Sequence, residues 1–367
     1  MRSLNLATAL SCLLACGAPD PTPSNGDGGT GTTDGGFCEP SPSYLEEVAG
    51  CQPRADDYRP RANASANDSW SACISDDNSY HPINPSISSV ARVAAFEEIA
   101  SKIWEANRVP SAQDFIDARV SYAQDQGLDS RVQRREDVHY PPASSPCSTT
   151  GVPEQNPDRC VGPARLLPLL NDAFARGSLG EASLENAARI EAGLLWFLYA
   201  SVLSEVESCG SRPQDCDSAW AYYSGATVRA EPLGLGRYVR RVGVETHDRA
   251  YDGALAVRCW RNLDNETGVA TNLALRDRAR EQLDRALLRG VALVIRQRLT
   301  ELSCTTGDVK KARWTFVRTL APFLDRAAEQ RNPAQAATLR AQLSSEAPEG
   351  ADVAAMISSL DALFDCP

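Results

Sequence analysis

The chain has 367 residues, a formal net charge of −11, and 43 % hydrophobic against 23 % charged residues. Its length allows a sizeable core, and its acidity, with arginines interleaved among Asp and Glu as in Arg276-Asp277-Arg278, argues against a nucleic-acid partner. Of 37 basic residues only Lys102, Lys310 and Lys311 are lysines, so the basic side of the surface is arginine.

Residues 1–15 carry Arg2 and then a short apolar run. The run is too short to span a bilayer, which takes roughly 20 apolar residues, and is expected to be an export signal. Leu13-Leu14-Ala15-Cys16 resembles the bacterial lipoprotein processing site, which makes Cys16 the expected lipidated N-terminus. The other reading is an ordinary secretory signal with an incidental cysteine. Gly17 after the cysteine, in place of aspartate, suggests the outer membrane, facing the periplasm or the cell surface. Residues 16–36 are rich in Gly, Thr, Pro and Asp. Such a coil reaches about 25 Å over some 20 residues and reads as a tether.

Apart from Cys12 and Cys16, ten cysteines remain: Cys38, Cys51, Cys73, Cys147, Cys160, Cys209, Cys216, Cys259, Cys304 and Cys366. An even number in an exported chain points to disulfides, and no C-x-x-C is present to suggest a zinc ribbon or a redox pair. Short intervening loops make Cys209 with Cys216 and Cys147 with Cys160 the expected local bridges; the remaining connectivity is open. Residues 37–85 have little periodicity and three cysteines, and are expected to form an irregular stapled segment.

From residue 86 helical patterns dominate. Val90, Val93, Phe96, Ile99 and Ile103 have helical spacing up to Val109-Pro110, and a second helix is expected over 111–126 behind Ser111 and Asp114. Residues 137–162 read as a long loop stapled by its cysteines. Within 188–226, Glu191, Leu195, Leu198, Val202 and Glu205 share one face of a strongly apolar helix, with Trp196, Phe197 and Tyr199 on the others. Such a helix belongs at the centre of a bundle. Past the Cys209–Cys216 turn a second helix carries Asp217, Trp220 and Tyr223 and stops at Gly225. Trp220, Tyr222 and Tyr223 are expected in the core, with hydroxyls satisfied at the rim. Further helices are expected over 234–263, 271–302, 308–330, 333–343 and 351–364. No strand pattern is found. The expected fold is all-α, a disulfide-stapled antiparallel helical bundle over 86–367 with an irregular cysteine-rich N-terminal segment.

The apolar helix, the acidic turn, the run Asp217-Ser218-Ala219-Trp220-Ala221-Tyr222-Tyr223-Ser224-Gly225 and the later Arg258-Cys259 resemble the low-iron-inducible periplasmic proteins of algae, helical cysteine-containing proteins of the iron-assimilation type. The family carries a His-Glu pair near the end of the apolar helix and an Asp-Glu pair before the tryptophan; here stand Ser204-Glu205 and Asp217-Ser218. The resemblance implies capture of iron or a related metal outside the cytoplasm. Its implied ligands are Glu105, Glu205, Asp217 and Tyr223, oxygen donors suited to a hard cation. The alternative is a non-catalytic structural or adhesive surface lipoprotein with no metal site, in which Glu205 pairs with an arginine and Asp217 favours the positive end of its helix.

The usual catalytic signatures are absent from the sequence: there is no G-x-S-x-G, H-E-x-x-H or Walker loop. The reading is therefore a non-enzyme. The three histidines are His81 in the irregular segment, His139, expected at the surface, and His247, which helical geometry turns away from the face shared by Glu245 and Asp248.

Overall fold

The computed structural model describes residues 51–61, 69–106, 108–123 and 127–367. Cys16, the signal, the tether and the first part of the irregular segment lie outside them. All described residues belong to one structural unit.

That unit is helical, and no strand occurs among the described residues. In chain order the helices are α1 (Ser89–Ile103), α2 (Ala112–Ala123), α3 (Leu128–Val132), α4 (Val152–Gln155), α5 (Leu167–Ser178), α6 (Ser183–Cys209), α7 (Asp215–Ser224), α8 (Gly234–Val242), α9 (Val244–Leu263), α10 (Leu273–Glu301), α11 (Gly307–Leu320), α12 (Asp325–Arg331), α13 (Pro333–Leu343) and α14 (Val353–Leu363). The expected helices are present with three differences. The 234–263 helix breaks into α8 and α9 at Gly243, whose extended backbone is both the C-cap of one and the N-cap of the other. The 308–330 helix is interrupted by a 3₁₀ turn, Ala321–Leu324, where Pro322 removes a backbone donor. Helix α5, absent from the sequence reading, follows a single π-helical turn at Gly162–Leu166.

Helix α6 is the axis, packed against α5, α7 and α11, while α9 and α10 pair beside it and α1 packs on α2 and α7. By length and composition α6 could cross a membrane, yet 89 % of its apolar window is buried inside the bundle. Ile190, Leu194, Phe197, Leu198, Val202 and Val206 are all fully buried. Each such side chain stabilises the fold by about 1.5–3 kcal/mol relative to exposure. Two glycines permit close approaches. Gly225 ends α7 at φ 73°, the left-handed conformation that lets the chain reverse. Gly253 lets α9 close on α10, since a Cβ there would stand 2.6 Å from Leu283 Cα.

The described part of the N-terminal segment is largely irregular, with a 3₁₀ turn at Ile74–Asp77. It is also an integral part of the core: Tyr58, Trp70 and Tyr80 are buried in the bundle's apolar cluster. Gln282 of α10 clamps Tyr58 by accepting from its amide at 2.7 Å and donating to its carbonyl at 2.9 Å. Disulfides Cys51–Cys366 and Cys73–Cys259 fasten the segment to the C-terminus and to α9. The two expected local bridges, Cys147–Cys160 and Cys209–Cys216, are formed, and Cys304 is disulfide-bonded as well.

Candidate functional site

The four residues implied as metal ligands lie in four different hydrogen-bond sets. Glu105 is held by Arg237 of α8 at 2.7 Å. Glu205, near the end of α6, pairs with the buried Arg135 at 2.9 Å. Asp217, in the first turn of α7 and fully buried, accepts from the Ile83 amide at 3.1 Å, the Asn84 amide at 2.7 Å and the Tyr80 hydroxyl at 3.1 Å. Burial raises its pKa, against those three donors. Its role in the fold is to anchor the 80–84 strip on α7, a tertiary task beyond the dipole contact expected from sequence. Tyr223 exchanges a 2.8 Å hydrogen bond with His247 Nδ1. Among the described residues, no three His, Cys, Asp or Glu side chains gather as a metal would require.

The histidines also differ from expectation. His139 is not a surface residue: its side chain is 10 % exposed and is clamped between Asp137 at 2.8 Å on Nδ1 and Asp284 at 2.8 Å on Nε2. The Tyr199 hydroxyl donates to Asp284 beside it. Burial opposes the imidazolium, but the two carboxylates outweigh it and push the His139 pKa up to about 10. His247 is fully buried, a placement its spacing did not show, and burial lowers its pKa. The hydroxyls of Tyr222 and Tyr223 are satisfied in the interior, by Arg135 and His247, rather than at a rim.

A cleft of about 660 Å³ opens where the 78–80 strip, the end of α7, the turn after Gly225 and the first turns of α9 meet. Its inner wall is aromatic. Tyr80 stacks on Trp220 with ring centroids 4.1 Å apart and planes within 8°, and the Asp217 hydrogen bond fixes the Tyr80 ring in that position. Tyr251 of α9 lies under the Arg229 guanidinium at 4.6 Å. Val228 and Val244, 63 % and 50 % exposed, form an apolar lip. The turn that carries Val228 and Arg229 is held by Thr227, which donates to the Ser224 and Glu231 carbonyls.

Charge in the cleft is uneven. Arg229 is committed, pairing with Asp252, donating to the Asp248 carbonyl at 2.8 Å and bonding Asn78 at 2.6 Å. Burial pushes the Asp252 pKa up to about 6 even with Arg229 beside it. Arg240 of α8, half-buried on the cleft wall, has no carboxylate or carbonyl partner among the described residues. The arrangement can hold a ligand with an apolar body against the aromatic wall and an anionic group at Arg240. The sequence reading placed Trp220 in the core and missed Tyr80, Arg229, Arg240 and Tyr251. They come from four separated segments, which only the packing of the helices brings together.

No family model matches the chain, and no curated protein or solved structure matches it either.

Proposed function

We propose that this is an exported, membrane-anchored lipoprotein whose helical domain binds a small organic anion with an apolar body in the cleft beside Trp220. The observation that carries the reading is Arg240, a half-buried cation without an acidic partner, on the wall of a cleft lined by Tyr80, Trp220, Tyr251, Val228 and Val244. A carboxylate at Arg240 gains charge-assisted hydrogen bonds, and its apolar part gains contact area on aromatic faces that are already fixed. Export and anchoring rest on the lipobox-like Leu13-Leu14-Ala15-Cys16 and on the tether after it, and agree with a disulfide-rich fold.

Iron capture, implied by the resemblance to the algal proteins, has less support. A cation bound by Glu105, Glu205, Asp217 or Tyr223 would have to displace Arg237, Arg135, the 80–84 strip or His247 from its present bond. Calorimetric titration of phenylacetate and hexanoate into the protein tests the cleft. Saturable heat that is lost in Arg240→Gln and in Val228→Asp is expected; no heat, or heat unchanged in both variants, rejects the reading.

A further inference from the structure

The cysteines of the described residues do not close on themselves. All nine are disulfide-bonded, and eight pair with one another as Cys51–Cys366, Cys73–Cys259, Cys147–Cys160 and Cys209–Cys216. Cys304 is the ninth. Its partner therefore stands outside the described residues, where the sequence has three cysteines, Cys12, Cys16 and Cys38. The export reading takes up two of them: Cys12 belongs to the segment that is removed, and a lipidated Cys16 has no thiol left to oxidise. Cys38 remains.

Geometry allows the bond. Cys304 is exposed in the turn between α10, which ends at Glu301, and α11, which begins at Gly307, so another part of the chain can reach it without opening the core. Cys51 is fixed by Cys366 near the middle of α10, where Arg285 Nε donates to the Pro367 carbonyl at 3.2 Å and Arg285 also holds Asp57 at 2.7 Å. Cys304 stands 19 residues after Arg285, roughly 30 Å along the helix direction. Cys38 stands 13 residues before Cys51, and a chain of that length spans up to about 45 Å.

We propose that Cys38 and Cys304 form a disulfide that fastens the lipid-bearing N-terminus to the corner between α10 and α11, giving the anchor a second covalent route to the helical domain. The two thiols give up two protons and two electrons, which pass by thiol–disulfide exchange to a disulfide oxidant of the exported compartment. The free tether is then the 22 residues from Cys16 to Cys38, with a reach of about 25 Å, and it leaves the domain at Cys304. A cut in the chain between Cys38 and Cys51 does not free the domain unless the bridge is reduced as well. The choice of Cys38 and the anchoring role rest on the lipoprotein reading, and neither depends on the Trp220 cleft.

The bond is tested by digesting the wild-type chain, extracted in detergent, without reduction. The peptide containing Cys38 is expected to be joined to the one containing Cys304. In Cys38→Ser one thiol per molecule, on Cys304, is expected to react with iodoacetamide. A free thiol on Cys304 in the wild type, a bond from Cys304 to any other cysteine, or a dimer linked through Cys304 overturns the proposal. The second route is tested in membranes carrying the chain with a site-specific protease sequence inserted between Glu47 and Cys51. Cleavage alone is expected to leave the domain in the membrane fraction, and cleavage with dithiothreitol to release it. In Cys38→Ser cleavage alone is expected to suffice. Release by cleavage alone without that substitution overturns the second route. A domain that is soluble before cleavage overturns the anchoring at Cys16, while the peptide map still decides the bond.

Discussion

Glu191 and Arg298 are joined by a 2.9 Å ion pair between the central helix α6 and α10, with only 4 % and 15 % of their side chains exposed. The same carboxylate accepts from the Tyr238 hydroxyl at 2.9 Å, and the other arm of Arg298 reaches Glu301 at 3.1 Å. Arg313 of α11 closes the network on Glu301 at 2.7 Å. Three helices thus share one charged knot inside an apolar bundle. Removing one member leaves a buried charge uncompensated. Glu191→Leu alone should cost about 3–5 kcal/mol in urea unfolding, and Glu191→Leu with Arg298→Met should recover most of that loss.

The clamp on His139 gives stability a pH dependence. A histidine whose folded pKa stands near 10, above its ordinary value, contributes stability that is fully present below about pH 6.5 and is lost as pH rises through the folded value. Asp252, raised to about 6, acts in the same direction at lower pH: its contribution is complete below the usual carboxylate range and fades as pH rises through 6. Urea midpoints should therefore fall between about pH 7 and pH 10 in the wild type and fall less in His139→Gln. Parallel pH profiles for the two proteins would contradict the assignment.

Asp217 should behave as a structural anchor. Asp217→Ala removes the acceptor for Tyr80, Ile83 and Asn84 together, and is expected to expose the 78–88 strip to proteolysis and to cost about 2–4 kcal/mol. Ferric citrate titrated into the wild type and into Glu205→Ala should give the same heat. Iron affinity lost specifically with Glu205 would restore the metal reading.

The disulfides should differ in weight. Cys51–Cys366 closes a separation of 315 residues and Cys209–Cys216 one of 7. In the chain-entropy picture the first restrains the unfolded state by about 6 kcal/mol and the second by about 2. Cys51→Ser/Cys366→Ser should therefore lower the melting temperature more than Cys209→Ser/Cys216→Ser.

Anchoring is tested separately. Cys16→Ser should move the protein from the membrane fraction to the soluble one, because the tether of residues 17–36 offers no apolar anchor.

The sequence by itself determined the class of the fold and most of its helices. The 3.6-residue spacing of apolar side chains is a local property, and so are the glycine stop at 225 and the short loops that brought Cys147 to Cys160 and Cys209 to Cys216. It also marked Glu191 and Glu205 as acids at the ends of one apolar stripe, and Glu205 as one that could pair with an arginine. Which arginine each would meet was not legible. Arg298 lies 107 residues from Glu191 and Arg135 lies 70 from Glu205, and either pairing depends on how α6 sits against α10 and on where the chain after α3 runs. The same limit hid the Trp220 cleft. Periodicity reports which face of a helix turns inward. The charge that it meets there is fixed only when helices distant in sequence pack together, because burial and electrostatic pairing are properties of the assembled interior.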